Sequence, residues 1–289
     1  MKKLKYLAFA LLFMLIACDK INEPYIRNPN TDDSVDSLVC PRPVFTPRTA
    51  PIKKVLIEDF TGFLCPNCPE AAVEAKRLKG IYGEKLILMS VHTGNFAKPN
   101  ISAGFIEDFR TPTGDALASV FAITAFPSGM INRTLFESRR VFTQDEWEWA
   151  VYAPAALQAE IDIQIINEYD STSRKLCTHI QSKLLTENPN KLMLVVCLTE
   201  DSILSKQKTV GPIYEIDEYY QMHVLRTVVN STWGSVISEE NGETGDIINR
   251  SYRIILNSNW KAKRCSVIAY IYDATTKTII QVEELKVLE

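Results

Sequence analysis

Cys65-Pro66-Asn67-Cys68 stands where a short apolar run gives way to a helical pattern, and this placement constrains the fold more than any other feature of the chain. Val55 to Phe60 has the pattern of a buried strand, broken by Thr61 and Gly62. After the second cysteine, Ala71, Ala72, Ala75, Leu78 and Tyr82 recur at helical spacing, and Gly83 is a stop signal. Leu86 to Val91 is the next apolar run. Two apolar strands joined through a helix predict a parallel pair. The first turn of such a helix has unpaired backbone N–H groups and the positive end of the dipole. Both favour thiolate over thiol, and the thiolate is the nucleophile. Pro66 and Pro69 are tolerated because first-turn N–H groups have no intrahelical partner.

A polar, Gly- and Pro-containing segment follows from Thr93 to Gly114, then a short helix is expected over Asp115 to Phe121. Phe126-Pro127-Ser128-Gly129 leads into a strand at Met130-Ile131-Asn132. Thr143-Gln144-Asp145-Glu146 has the form of a capping box and predicts a helix through Trp147 and Val151, ended or kinked by Pro154. From about Ala159 the texture changes. Ile161, Ile163 and Ile165 alternate with polar residues, and Leu192–Leu198, Tyr252–Leu256, Val267–Tyr272 and Ile279–Val282 read as strands. The expected fold is therefore an α/β domain over 53–158, with the insertion 93–114, followed by a β-rich domain over 159–289 of sandwich type. The stretch 205–250 is ambiguous, and there is no internal repeat.

The first eighteen residues, MKKLKYLAFALLFMLIAC, carry three lysines, an apolar run too short for the roughly 20 residues of a membrane span, and a small residue before Cys18. This is the pattern of a secretory signal over 1–17 that ends in a lipobox, with acylation expected at Cys18. The other reading is an ordinary signal in which Cys18 is incidental. Residues 18–52 are rich in Pro, Asn, Asp and Ser and read as a flexible tether, which would reach roughly 30 Å from the lipid. Losing Lys2, Lys3 and Lys5 takes the net charge from −3 to −6, which gives no reason to expect nucleic acid as a partner. Of the seven cysteines, Cys40, Cys177, Cys197 and Cys265 remain after Cys18 and the CxxC are set aside. An exported chain can oxidise them, but spacing does not choose a pairing, and buried free thiols are an equal alternative for Cys177, Cys197 and Cys265. No cofactor motif is present. A zinc site would want a second Cys/His pair, which His92, His179 and His223 do not form by spacing.

Three features over about 53–158 resemble the thioredoxin superfamily: Cys65-Pro66-Asn67-Cys68 after a strand, Asp59 six residues before Cys65, and Pro127 before a strand. The resemblance implies thiol–disulfide exchange. Cys65 would attack a substrate disulfide and Cys68 would resolve the mixed disulfide. Asp59 would relay the proton of Cys68, and Pro127 would be a cis-proline facing the cysteines. The chain departs from that pattern at Leu64, where thioredoxins carry Trp, and at bulky Phe126 before the proline. The insertion is also placed to cover the cysteines. The plain alternatives are a static Cys65–Cys68 bridge and an Asp59 that is a satisfied polar residue at a strand end.

A narrower resemblance spans most of the mature chain. Glu58-Asp59-Phe60-Thr61-Gly62 with Cys65-Pro66-Asn67-Cys68-Pro69-Glu70-Ala71-Ala72, Asp108-Phe109-Arg110-Thr111-Pro112, Phe126 to Arg133, and His223-Val224-Leu225-Arg226 carry it. These phrases resemble a family of Bacteroidetes outer-membrane lipoproteins named for a twenty-eight-kilodalton outer-membrane protein. The resemblance implies attachment to the outer membrane through the N-terminal lipid, with other outer-membrane proteins as candidate partners, but no settled reaction. The competing expectations are an exchange enzyme, a non-enzymatic docking lipoprotein, and a binder of peptide or glycan. Phe105, Phe109 and Arg110 are candidates to shape a groove near the CxxC, and His223 and Arg226 would share a face if their stretch were helical. Asp-Ser motifs at Ser34, Ser37, Ser171 and Ser202 resemble O-glycan acceptors of that phylum.

Overall fold

A computed structural model describes residues 40–288. The signal segment, Cys18, Ser34 and Ser37 lie outside the described residues. Strand β1 (Val55–Thr61) is buried along its whole length, as a strand covered on both faces must be. It pairs in parallel with β2 (Leu86–His92), in register from Val55↔Leu86 to Thr61↔His92. Between them runs α1 (Cys68–Tyr82), which buries Cys68, Ala71, Ala75 and Leu78. Glu70 in its first turn and Lys79 in its last complement the dipole. Gly83 ends it at φ 56°, a conformation that favours glycine. The expected strand–helix–strand unit and its parallel pairing are all present.

β3 (Ser128–Ile131) runs antiparallel to β1, with Phe60 opposite Ser128, and β4 (Val141–Phe142) extends that edge. Helix α2 covers Pro112–Val120, with Pro112 in its first turn and the Thr111 hydroxyl accepting from Gly114 N–H at 2.9 Å. It thus begins inside the segment read from sequence as an irregular insertion. α3 (Trp147–Ala155) follows the Thr143–Glu146 capping box and contains Pro154. No helix among the described residues is long and apolar enough to cross a membrane.

The remaining strands are β5 (Ile161–Asp170), β6 (Lys175–Leu184), β7 (Leu192–Glu200), β8 (Ile203–Lys208), β9 (Glu215–Gln221), β10 (Val224–Val228), β11 (Ser235–Ser238), β12 (Ile247–Ile255), β13 (Cys265–Asp273) and β14 (Ile279–Lys286). The sheet β12-β6-β5 shares a core with β7 and β13, where Ile163, Leu176 and Ile180 pack among Leu194, Val196, Val267 and Ala269. The structure is β-rich, with few helices and several sheets. Strands from both sides of residue 159 belong to one nine-stranded sheet of order β14-β13-β7-β10-β2-β1-β3-β4, with β11 on β7. The join is β10, which pairs in parallel with β2 at Val224↔Ser90 and antiparallel with β7.

Residues 40–52, read from composition as the end of a flexible tether, are fixed to the body. Cys40 is bridged to Cys177 on β6. Arg48 pairs with Asp162 at 3.3 Å and Glu283 at 2.8 Å, and Ile52 C=O accepts from Gln281. Polar composition does not register long-range pairing of this kind. Cys177 is therefore not a free thiol, whereas Cys197 and Cys265 are free and buried.

A charged pair lies inside the main sheet's packing. Arg133, just after β3, makes a two-pronged contact with Glu58 on β1 at 2.6 and 2.7 Å and donates to Tyr270 Oη on β13 at 2.9 Å. Both side chains are fully buried, and the rings of Phe121, Tyr270 and Tyr272 surround the guanidinium at 5.1 to 5.7 Å. Removing one partner strands a charge in an apolar interior, whereas replacing both does not. Arg133→Met is expected to cost about 3–5 kcal/mol in urea unfolding, and the double variant with Glu58→Leu to recover part of that loss. A single variant within about 0.5 kcal/mol of the parent would contradict this role.

Candidate functional site

The chain leaves β1 at Thr61, turns at Gly62 and reaches Cys65 before α1 begins at Cys68. The turn is held by Cys65 N–H donating to Gly62 C=O at 3.0 Å and Cys68 N–H donating to Cys65 C=O at 3.3 Å. Gly62 is required because a Cβ there would stand 2.4 Å from Phe96 O. The same Phe96 oxygen accepts from Leu64 N–H at 2.9 Å. Cys65 and Cys68 form a disulfide at the N-terminus of α1, with Cα atoms 5.4 Å apart. The Phe126–Pro127 peptide is cis. Because Ser128 pairs with Phe60, this peptide lies past the end of β1 from which the CxxC turn departs.

Both cysteines are covered, Cys65 with 1 % and Cys68 with 4 % of its surface exposed. Part of the cover comes from the 93–114 segment, as its position suggested. Phe105 stacks on Phe63 at 5.5 Å and Phe109 meets Phe63 edge-on at 6.0 Å, in a small buried cluster under the turn. Arg110 instead turns to Asp108 at 2.7 Å. The other part comes from the β8–β9 hairpin, in a stretch with no readable element. Lys208 N–H donates to Phe63 C=O at 2.8 Å, and Gln207 Nε2 donates to Cys65 C=O at 3.1 Å. Gln221 Nε2 then donates to Gln207 Oε1 at 2.9 Å, so a glutamine pair closes over the first cysteine. β8 and β9 are mostly polar, and hydrophobic periodicity had nothing to mark there.

A cavity of about 520 Å³ opens beside Cys68, between α1, β2 and the hairpin, and Gln207 and Gln221 line it as well. Asp59, Cys68, Leu88, Tyr219 and Met222 are among the residues that bound it. Asp59 is buried, and its Oδ1 has no hydrogen-bond partner among the described residues. Burial pushes its carboxyl up to about 7. Burial, followed by the charge of Asp59, raises the phenol of Tyr219. His92, at the end of β2, is also buried with both ring nitrogens unpartnered, and its ring meets Phe109 at 5.0 Å. Burial, followed by the charge of Arg226, depresses it to about 3.

His223 and Arg226 do not share a helix face. His223 precedes β10 in a left-handed conformation and contacts Asp201 at 3.1 Å, and Arg226 lies within β10 and pairs with Glu200 at 2.8 Å. Between them Val224 and Leu225 are both buried, in the strand that joins β2 to β7. Ser171 is exposed in the turn after β5, and Ser202 is half-buried with its hydroxyl 3.7 Å from Met222 Sδ.

Asp59 makes stability pH-dependent in a defined direction. Between its unfolded value near 3.8 and about 7, the folded chain keeps a proton that the unfolded chain has released, so stability falls as pH rises. The full effect is on the order of 4 kcal/mol. His92 acts in the opposite sense between about 3 and 6.5, where only the unfolded chain is protonated. Asp59→Asn is therefore expected to melt above the parent at pH 8, with the gap closing toward pH 4. A gap that is constant with pH would refute the buried acid.

The profile of the outer membrane protein Omp28 family matches residues 114–289. No curated protein matches. HBP35 of Porphyromonas gingivalis has a similar structure, with a TM-score of 0.62 and 16 % identity over 83 % of this chain and 76 % of that one. A protein of Agrobacterium tumefaciens aligns with a TM-score of 0.50 and 13 % identity over 82 % and 96 %. A domain of the outer membrane lipoprotein Omp28 from Porphyromonas gingivalis aligns at 24 % identity over 45 % of this chain and 89 % of that domain, with a TM-score of 0.33.

Proposed function

Because this chain belongs to the Omp28 family of outer membrane proteins, we propose that it is a lipid-anchored thiol–disulfide exchange protein of the outer membrane, with a thioredoxin-like module over 53–158. The observation that carries this reading is Asp59. A carboxyl buried without a partner is destabilising, and here it opens onto the same cavity as Cys68, one wall away from the disulfide. With its pKa near neutrality it can take the proton of a cysteine and return it at ordinary pH. The disulfide caps the N-terminus of α1, where the dipole stabilises a thiolate produced by reduction. Cys65 and Cys68 are the redox couple, and Asp59 manages the proton of Cys68. The substrates are extracytoplasmic thiols and disulfides. Anchoring falls to an acylated Cys18, and Ser34 and Ser37 are the glycan acceptors of the tether.

A second reading has its own support. Cys65 is closed off by Gln207, as a purely structural bridge would be. The protein would then be a docking lipoprotein, with its β-sandwich half offered to outer-membrane partners. Equilibration of the folded protein with graded mixtures of oxidised and reduced dithiothreitol separates the two. Exchange predicts that Cys65 and Cys68 open together while Cys40–Cys177 stays closed, read by alkylation and peptide mass. A Cys65–Cys68 bridge that resists reductant until the chain unfolds would reject exchange in favour of docking.

A further inference from the structure

We propose that Cys68, rather than Cys65, is the sulfur presented to substrate, and that the cavity beside it admits small disulfides and thiols. This rests on the exchange reading but reverses the order of sulfurs that the thioredoxin resemblance implies. The walls argue for it. Cys68 bounds the cavity and Cys65 does not. On α1, Cys68, Ala72 and Ala75 fall at spacings that share one helix face, and the two alanines leave the space in front of the sulfur open. Leu88 lines it from β2, Tyr219 from the hairpin and Met222 from just past it, so the lining is mainly apolar, with Lys76, Lys79 and Glu218 as charged members. Asp59 also lines this cavity, and its unpartnered Oδ1 is shut off from water. The hairpin is bonded to the backbone at Phe63 and Cys65, and Gln207, which makes the second of these bonds, also lines the cavity. A volume of about 520 Å³ suits a small molecule, not a folded protein.

The chemistry balances with a small disulfide as oxidant. In the reduced protein, Asp59 carboxylate takes the proton of Cys68. The Cys68 thiolate attacks one substrate sulfur, the substrate S–S bond breaks, and the departing thiolate takes the proton back from Asp59. Cys65, losing its own proton, then attacks Cys68 Sγ, displaces the second substrate thiolate and closes the Cys65–Cys68 bond. That second thiolate takes up the proton released by Cys65. One disulfide is reduced to two thiols, and the protein dithiol is oxidised.

The test uses the reduced mature protein carrying Cys65→Ser or Cys68→Ser, with 2,2′-dithiodipyridine as the neutral probe. Release of thiopyridone gives the rate, and peptide mapping assigns the adduct. Cys197 and Cys265 are buried with thiols pushed up to about 12, so their background is slow. Cys68 in the Cys65→Ser protein is expected to react about tenfold faster than Cys65 in the Cys68→Ser protein. Oxidised glutathione, a larger disulfide, is expected to lose that advantage. Ala72→Phe and, from the facing wall, Met222→Trp are each expected to slow Cys68 about tenfold without slowing Cys65. Two walls are used so that a folding fault in one variant does not decide the result. A faster Cys65, or undiminished Cys68 reactivity in both folded filling variants, would overturn this assignment and leave exchange standing. A native protein in which neither cysteine reacts would overturn both.

Discussion

The Glu58–Arg133 pair sets the terms for everything around it. A guanidinium and a carboxylate with no exposure to water must stay in register, because either charge alone in that interior is destabilising. Glu58 belongs to β1, Arg133 follows β3, and Tyr270 of β13 completes the contact. The pair therefore links the strand from which the CxxC turn departs to the β-rich half of the chain. Asp59, next to Glu58, points to the opposite face of β1 and so toward the disulfide cavity. Fixing the register of β1 fixes where that acid sits.

The β8–β9 hairpin meets the Cys65–Cys68 disulfide at both of its cysteines. Its glutamines bond over Cys65, while its tyrosine and the methionine just past it line the space in front of Cys68. A thioredoxin-like turn with an open first cysteine would greet a protein strand. Here the cavity lies beside the second cysteine. Asp59 and His92, both buried without partners, respond to acid in opposite directions. Between pH 4 and 6.5 the two slopes oppose one another, so these groups together change stability little with pH there.

Local order in the sequence exposed the parts of the fold that are themselves local. β1, α1, β2 and the Thr143 capping box were legible because each rests on periodicity or on contacts a few residues apart. The CxxC at the start of α1 and the acid six residues before it were legible for the same reason. Helix α2 was misjudged at its start because Thr111 and Pro112 lie within a polar stretch that resembles a loop, although they form an N-cap and first turn. His223 and Arg226 would share a face only in a helix; in the strand they make structural pairings with Asp201 and Glu200, which sequence spacing does not reveal.

The chain by itself determined a sulfur pair at a helix N-terminus, a strand–helix–strand frame to hold it, and a β-rich second half. Tertiary structure alone decided that Cys40 reaches Cys177, that β10 fuses the two halves into one sheet, and that a polar hairpin closes over one cysteine and makes room beside the other. The reason is physical. Periodicity reports which face of an element is apolar, whereas pairing across more than a hundred residues, and hydrogen bonds from glutamine side chains to a distant carbonyl, leave no periodic trace.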